Sequence, residues 1–239
     1  MITQSFKNMT FATLLGLAGC ASTPGAQPQD MSKAQHEQAA SAHDQMADPH
    51  AQAYDPAASV EKQRCGDPRR PCWTWLANPT EEHKADAEKH RKMAADHRAA
   101  GQALRDAETR ACSGVPDVDR DMNPFDHRED ITGVTPYNTP VQSGAGQKQG
   151  MTRLQGAVVT FRAVPGMTAE WLQRVVDCHV ARNASMGFNM PEMAYCPLSV
   201  KGAKGKVAST GNGFAVTVEA DDSSAAQDIL RRAKALAGK

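Results

Sequence analysis

The sequence has no apolar run approaching the roughly 20 residues that cross a bilayer as a helix. Met9–Ala18 is about half that length, and no later segment comes close. Aromatic residues are few, three Trp, three Tyr and six Phe in 239 residues, and many apolar positions are alanine, which argues against one large core. Neither sign of charge is in excess. Lys and Arg number 27, Asp and Glu also 27. Without a basic stripe, nucleic acid is a poor partner, and adhesion to anionic lipid has no support. The chain carries no GxSxG, no HExxH, no P-loop and no GxGxxG in a strand–helix setting. No cysteine sits in a nucleophile setting. A non-enzymatic protein without a cofactor is the expectation.

What is present begins at the N-terminus. Lys7 precedes the apolar run, which ends in Leu17-Ala18-Gly19-Cys20. A short apolar stretch behind a basic residue and before small ones is a processing signal rather than part of a fold. The four residues resemble the lipobox of bacterial lipoprotein signal peptides. That resemblance implies acylation of Cys20, removal of residues 1–19 and a mature chain of Cys20–Lys239. In two-membrane bacteria, an aspartate after the lipid cysteine favours inner-membrane retention. Ala21 and Ser22 stand there instead, so the resemblance implies an outer-membrane protein facing the periplasm.

An exported protein sits where disulfides persist. Beyond Cys20 there are five cysteines, Cys65, Cys72, Cys112, Cys178 and Cys196, so one is left over. Cys65 and Cys72 flank Gly66, Pro68 and Pro71 and can close locally. A helix from Pro79 to Cys112 would be roughly 50 Å long, while the residues from Cys72 to Pro79 reach at most ~25 Å. Bridged Cα atoms lie within about 7 Å, which rules out Cys72–Cys112. Cys178–Cys196 is the expected second pair. Cys112 is then free or cross-links two copies.

Residues 20–31 read as a flexible tether. Ser32 with Gln35 is a capping box opening an alanine-rich helix that Pro49 is expected to stop after Asp48. A cysteine loop with Trp73 and Trp75 follows. Asn78-Pro79-Thr80-Glu81 reads as a helix start with Asn as cap and Pro at the first position. The helix runs to about Cys112, with Gly101 its weak point at around 1 kcal/mol. These elements predict a helical hairpin region over 32–136, including a charged C-terminal loop, then a linker over 137–155. The last part, 156–239, predicts a small β-α-β-β-α domain. Gly156–Val164 alternates like a strand and Thr168 caps a helix. Gly211-Asn212-Gly213 joins two strands as a hairpin, and a final helix carries Ile229, Leu230, Ala233 and Leu236. The fold class is α+β. In element order the domain resembles a ferredoxin-like fold short of its last strand.

The long helix has one unusual face. Steps of three and four from His83 give His83, Asp86, His90, Met93, His97, Ala100 and Leu104, the seam of a coiled coil. The first helix echoes this with His36, Ala39, His43 and Met46, and His50 follows just past Pro49. Folded back antiparallel, the helices would face His43 to His90 and His36 to His97. Imidazole suits copper and zinc, and thioether adds preference for Cu(I). The candidate metal ligands are therefore His36, His43, His83, His90, His97, Met46 and Met93, as four-ligand sites between facing helices. The competing account makes these histidines polar residues on a weakly packed face.

Two other segments invite a metal and decline it. Met186, Met190, Met193 and Cys196, with Cys178 and His179 nearby, read as a loop packed by adaptable methionines. Asp117, Asp119, Asp121 and Asn123 begin like a calcium loop, but Met122 replaces its glycine and Arg128 its final glutamate.

Two functions follow as expectations. The first is a lipid-anchored envelope protein acting by binding or assembly, with an envelope protein as partner or a second copy joined through Cys112 or the long helix. The alternative is a periplasmic copper- or zinc-binding lipoprotein.

Overall fold

Ser32 starts the first helix as a full capping box. Its hydroxyl accepts from the Gln35 backbone N–H at 3.1 Å and its own N–H donates to Gln35 Oε1 at 2.8 Å. The computed structural model describes residues 31–66, 69–141 and 151–237. Cys20 and the expected tether up to residue 30 lie outside these. Helix α1 spans Lys33–Ala53, so Pro49 does not stop it, contrary to the sequence expectation. Proline removes one backbone hydrogen bond and crowds the carbonyl four residues back, yet the last turn still closes through Tyr54 N–H donating to His50 O at 3.1 Å. That turn is held from outside, because His50 meets His83 of the next helix.

Strands β1 (Val60–Arg64) and β2 (Trp73–Ala77) form a two-stranded antiparallel ribbon closed by a Cys65–Cys72 disulfide. At its neck, Asn78 Nδ2 donates to Asp55 O at 2.8 Å and Thr80 Oγ1 accepts from Asp55 N–H at 3.0 Å. Helix α2 spans Glu81–Ala111. Asn78 still shapes its start by accepting from Thr80 N–H, but the helix begins after Thr80, two residues later than an Asn78 cap would place it.

Strands β3 (Ile131–Pro140), β4 (Thr152–Arg162), β5 (Lys204–Thr210) and β6 (Gly213–Glu219) form a second antiparallel sheet in the order β3-β4-β6-β5. Helices α3 (Ala169–Ser185) and α4 (Ser223–Ala237) cover it. The alternation of β4 and β6 turns Ala157, Val159, Phe161, Phe214, Val216 and Val218 to one face, where Leu172, Val176, Ile229 and Leu236 meet them. The expected mixture of helix and sheet holds at the level of class, four helices with two small antiparallel sheets among the described residues.

Strand β3 corrects the finer expectation. It and β4 occupy both flanks of the expected linker 137–155, and residues 142–150 lie outside those described. Pro136 and Pro140 spoil its strand pattern, but β3 is an edge strand, where proline is tolerated. The charged loop before it is also less solvated than its composition suggests. Phe125 is fully buried and stacks on Phe161.

The cysteine pairing is a second correction. Cys178 bonds to Cys112, not to Cys196. Cys112 is therefore not free for a second copy, and the leftover thiol is the buried Cys196. The bridge carries the end of α2 onto α3, where Val115, Val175 and Trp171 pack around it. Beside it, Glu108 receives Lys33 at 3.0 Å and the Ser185 hydroxyl at 2.7 Å. Burial would raise this carboxyl, but those two hydrogen bonds and the nearby charges of Lys33 and Arg182 outweigh it and hold Glu108 below the usual carboxylate value. The junction thus joins the start of α1, the end of α2 and α3.

Candidate functional site: a ladder of histidines

Helices α1 and α2 lie side by side and antiparallel. On α1 the inward residues alternate as His36, Ala40, His43, Ala47, His50, and on α2 as His83, Ala87, His90, Ala94, His97, Gly101, Leu104. Ala40, Ala47, Ala87 and Ala94 are each at most 2% exposed. A side chain on Gly101 would begin 3.4 Å from Cβ of His36. Small residues at every second seam position draw the helices close, and the imidazoles fill the space between.

The result is three cross-helix rungs. Nδ1 of His36 is 3.0 Å from Nδ1 of His97, Nδ1 of His43 is 3.2 Å from that of His90, and Nδ1 of His50 is 3.2 Å from that of His83. Successive rungs touch: His43 stacks on His97 with ring centroids 5.6 Å apart, and His50 on His90 at 6.0 Å. The six rings form one zigzag of alternating hydrogen bonds and stacks. A hydrogen bond between two Nδ1 atoms needs one ring to donate its Nδ1–H and the other to accept through a bare Nδ1.

Those distances have a second chemical meaning. Imidazole nitrogens bind zinc at about 2.0–2.1 Å, which places neighbouring ligands at 90–110° about 2.8–3.4 Å apart. Each rung already has that separation. An ion held by both nitrogens would lie off the line that joins them, so each ring would have to turn by about 40° from its hydrogen-bonding direction to meet it.

The placement of the sequence-derived ligands is mixed. His36, His43, His83, His90 and His97 all lie in the ladder. His50, which the expected stop at Pro49 places beyond the first helix, completes the third rung; its place seven residues after His43 is the signal for it in the sequence. The methionines do not share the seam. Ala47 and Ala94 hold those positions, Met46 is 49% exposed and Met93 is half-buried to one side. No group of three or more His, Cys, Asp or Glu side chains converges on one point among the described residues, so the expected four-ligand site is replaced by three two-ligand rungs. The carboxylate of Asp86 stands beside the third rung, with Oδ2 3.9 Å from Nδ1 of His50.

A different cluster has the composition of a thiol enzyme's centre. Cys196 Sγ lies 3.4 Å from His179 Nε2 and 3.5 Å from Asn123 Oδ1. Burial pushes the thiol up and pushes His179 down to about 4, so both groups are neutral at pH 7. Neither is a ready nucleophile or base for outside molecules, because Cys196 is fully buried. Asn123 instead ties the loop to the domain, accepting from Phe125 N–H and donating to Tyr195 Oη at 3.0 Å.

His179 makes a pH prediction. Its folded value lies below the ordinary 6.5, so between pH 6.5 and 4 the unfolded chain binds a proton that the folded one refuses. Stability is intact above 6.5 and falls as pH drops to 4, by about 3 kcal/mol for this group. Urea midpoints of the native chain and His179→Gln compared across that range check it. The difference between them should shrink or reverse toward pH 4, and a constant difference would contradict it.

No helix among the described residues is long and apolar enough to cross a membrane. No protein-family model, curated protein or solved structure matches the chain.

Proposed function

We propose that this chain is a lipid-anchored protein of the bacterial envelope that binds divalent transition-metal ions, copper or zinc, without catalysing a reaction. Its binding element is the helical hairpin of α1 and α2, and the C-terminal sheet module is the base that holds it. The lipobox at Leu17–Cys20 supports the anchoring, and Ala21 and Ser22 support an outer-membrane, periplasm-facing position. The observation that carries the metal reading is the set of three Nδ1 pairs at 3.0–3.2 Å. Imidazole is a ligand for copper and zinc. Two cis nitrogens per rung leave the remaining positions to water or to a partner's side chains, which fits a protein that holds and passes on metal rather than one that buries it.

The test is a titration of the lipid-free chain, Cys20→Ser, with Zn(II) and Cu(II) by calorimetry. Up to three ions per chain are expected, one per rung. Binding weakens at acid pH because only unprotonated imidazole is a ligand. Uptake no stronger than that of one surface histidine would overturn the proposal and leave the ladder as a packing device for the hairpin.

A further inference from the structure

The β1–β2 ribbon stands clear of the rest of the protein. All of its residues but Ala77 are exposed. Trp73 is 79% exposed, Leu76 74%, Trp75 46% and Val60 41%. A two-stranded ribbon with no core beneath it is marginal alone, and here the Cys65–Cys72 disulfide holds its ends. A stapled ribbon presenting two tryptophans to solvent has an outside surface to meet.

The strand register identifies that surface. It pairs Arg64 with Trp73, Lys62 with Trp75 and Val60 with Ala77, so these six side chains share one face. Both indoles have a cation directly across the ribbon. Glu61, Gln63, Thr74 and Leu76 fall on the other face. The tryptophan face thus carries positive charge only, although the chain as a whole is neutral. Lys62 and Arg64 lie far from the tryptophans in sequence, which hid the patch from a linear reading. Indole settles at the level of lipid headgroups, and Lys or Arg beside it is drawn to an anionic bilayer.

We infer that the Trp73–Trp75 face of the ribbon docks into the headgroup layer of an anionic lipid bilayer. This contact is separate from lipid at Cys20 and gives the protein a second hold on a membrane, since one weak attachment becomes firm when a second is added.

The experiment uses the full chain with Cys20→Ser and vesicles of phosphatidylglycerol and phosphatidylethanolamine, with phosphatidylcholine vesicles as the neutral comparison. Co-sedimentation and tryptophan emission are read together. Expected results are binding to the anionic vesicles with a blue shift and weakening by added salt. Trp73→Ala with Trp75→Ala should cost at least about tenfold in partitioning. Lys62→Gln with Arg64→Gln should cost about thirtyfold on anionic vesicles and little on neutral ones. Both pairs lie outside any core, and circular dichroism with an intact Cys65–Cys72 bridge confirms folding. No partitioning to anionic vesicles, or partitioning untouched by the tryptophan changes, overturns the inference. So does self-association of the chain that those same changes abolish, which would make the occupant a second copy.

Discussion

A chain with Cys112→Ala and Cys178→Ala is expected to lose about 4 kcal/mol of stability, because the bridge closes a long loop in the unfolded state. The two cysteines are 66 positions apart, and the entropy removed from the unfolded chain grows with that separation. Both are almost fully buried, against Val115 and Val175, so alanine also leaves a small void. Besides the Val115, Val175 and Trp171 contacts, the junction keeps the Lys33–Glu108 pair with Ser185 and Arg182, and partly exposed ion pairs stabilise weakly. Cys65→Ala with Cys72→Ala is the contrast. That bridge spans only 7 positions in a ribbon that packs on nothing, so the global unfolding midpoint should barely move. Urea melts under non-reducing conditions measure both. Equal effects would mean that the ribbon belongs to the cooperative unit or that the junction does not.

These disulfides also show what could be read in the sequence. Cys65–Cys72 is local, closed across a turn rich in Gly and Pro, and needs no knowledge of the fold. Cys112–Cys178 depends on how the end of α2 docks on α3, a tertiary fact that no spacing encodes, and proximity in sequence pointed to Cys196 instead. The ladder divides in the same way. The seven-residue step of histidines was visible, and antiparallel helices convert it into facing pairs. The inner register was not visible, because steps of three (Asp86, Met93) and of four (Ala87, Ala94) both fit a seam. Alanine won, since only a small residue lets the helices approach closely enough for the imidazoles to meet. Local rules failed where neighbours outweighed them. Pro49 is carried by the His50–His83 contact, and Pro136 and Pro140 by an edge position in the sheet.

Changing His83, His90 and His97 together to alanine is expected to reduce metal affinity by on the order of a hundredfold or more, since each remaining α1 histidine then binds alone and two tethered ligands gain at least that much over one. The central rung gives a finer reading. His43 and His90 are half-buried, so water can satisfy whichever ring remains, and His90→Ala should leave folding nearly unchanged while removing one ion from the stoichiometry. Metal that binds only the folded state raises the melting temperature, by an amount that grows with the logarithm of the ratio of free metal to Kd. The native chain should therefore gain thermal stability with Zn(II), the single variant less, and the triple variant none. This pattern separates the two accounts of the ladder. If the imidazoles serve only to pack α1 against α2, the triple variant loses stability in the absence of metal and Zn(II) shifts neither protein. If they are ligands, the larger change appears only when the metal is present, and it follows the number of intact rungs.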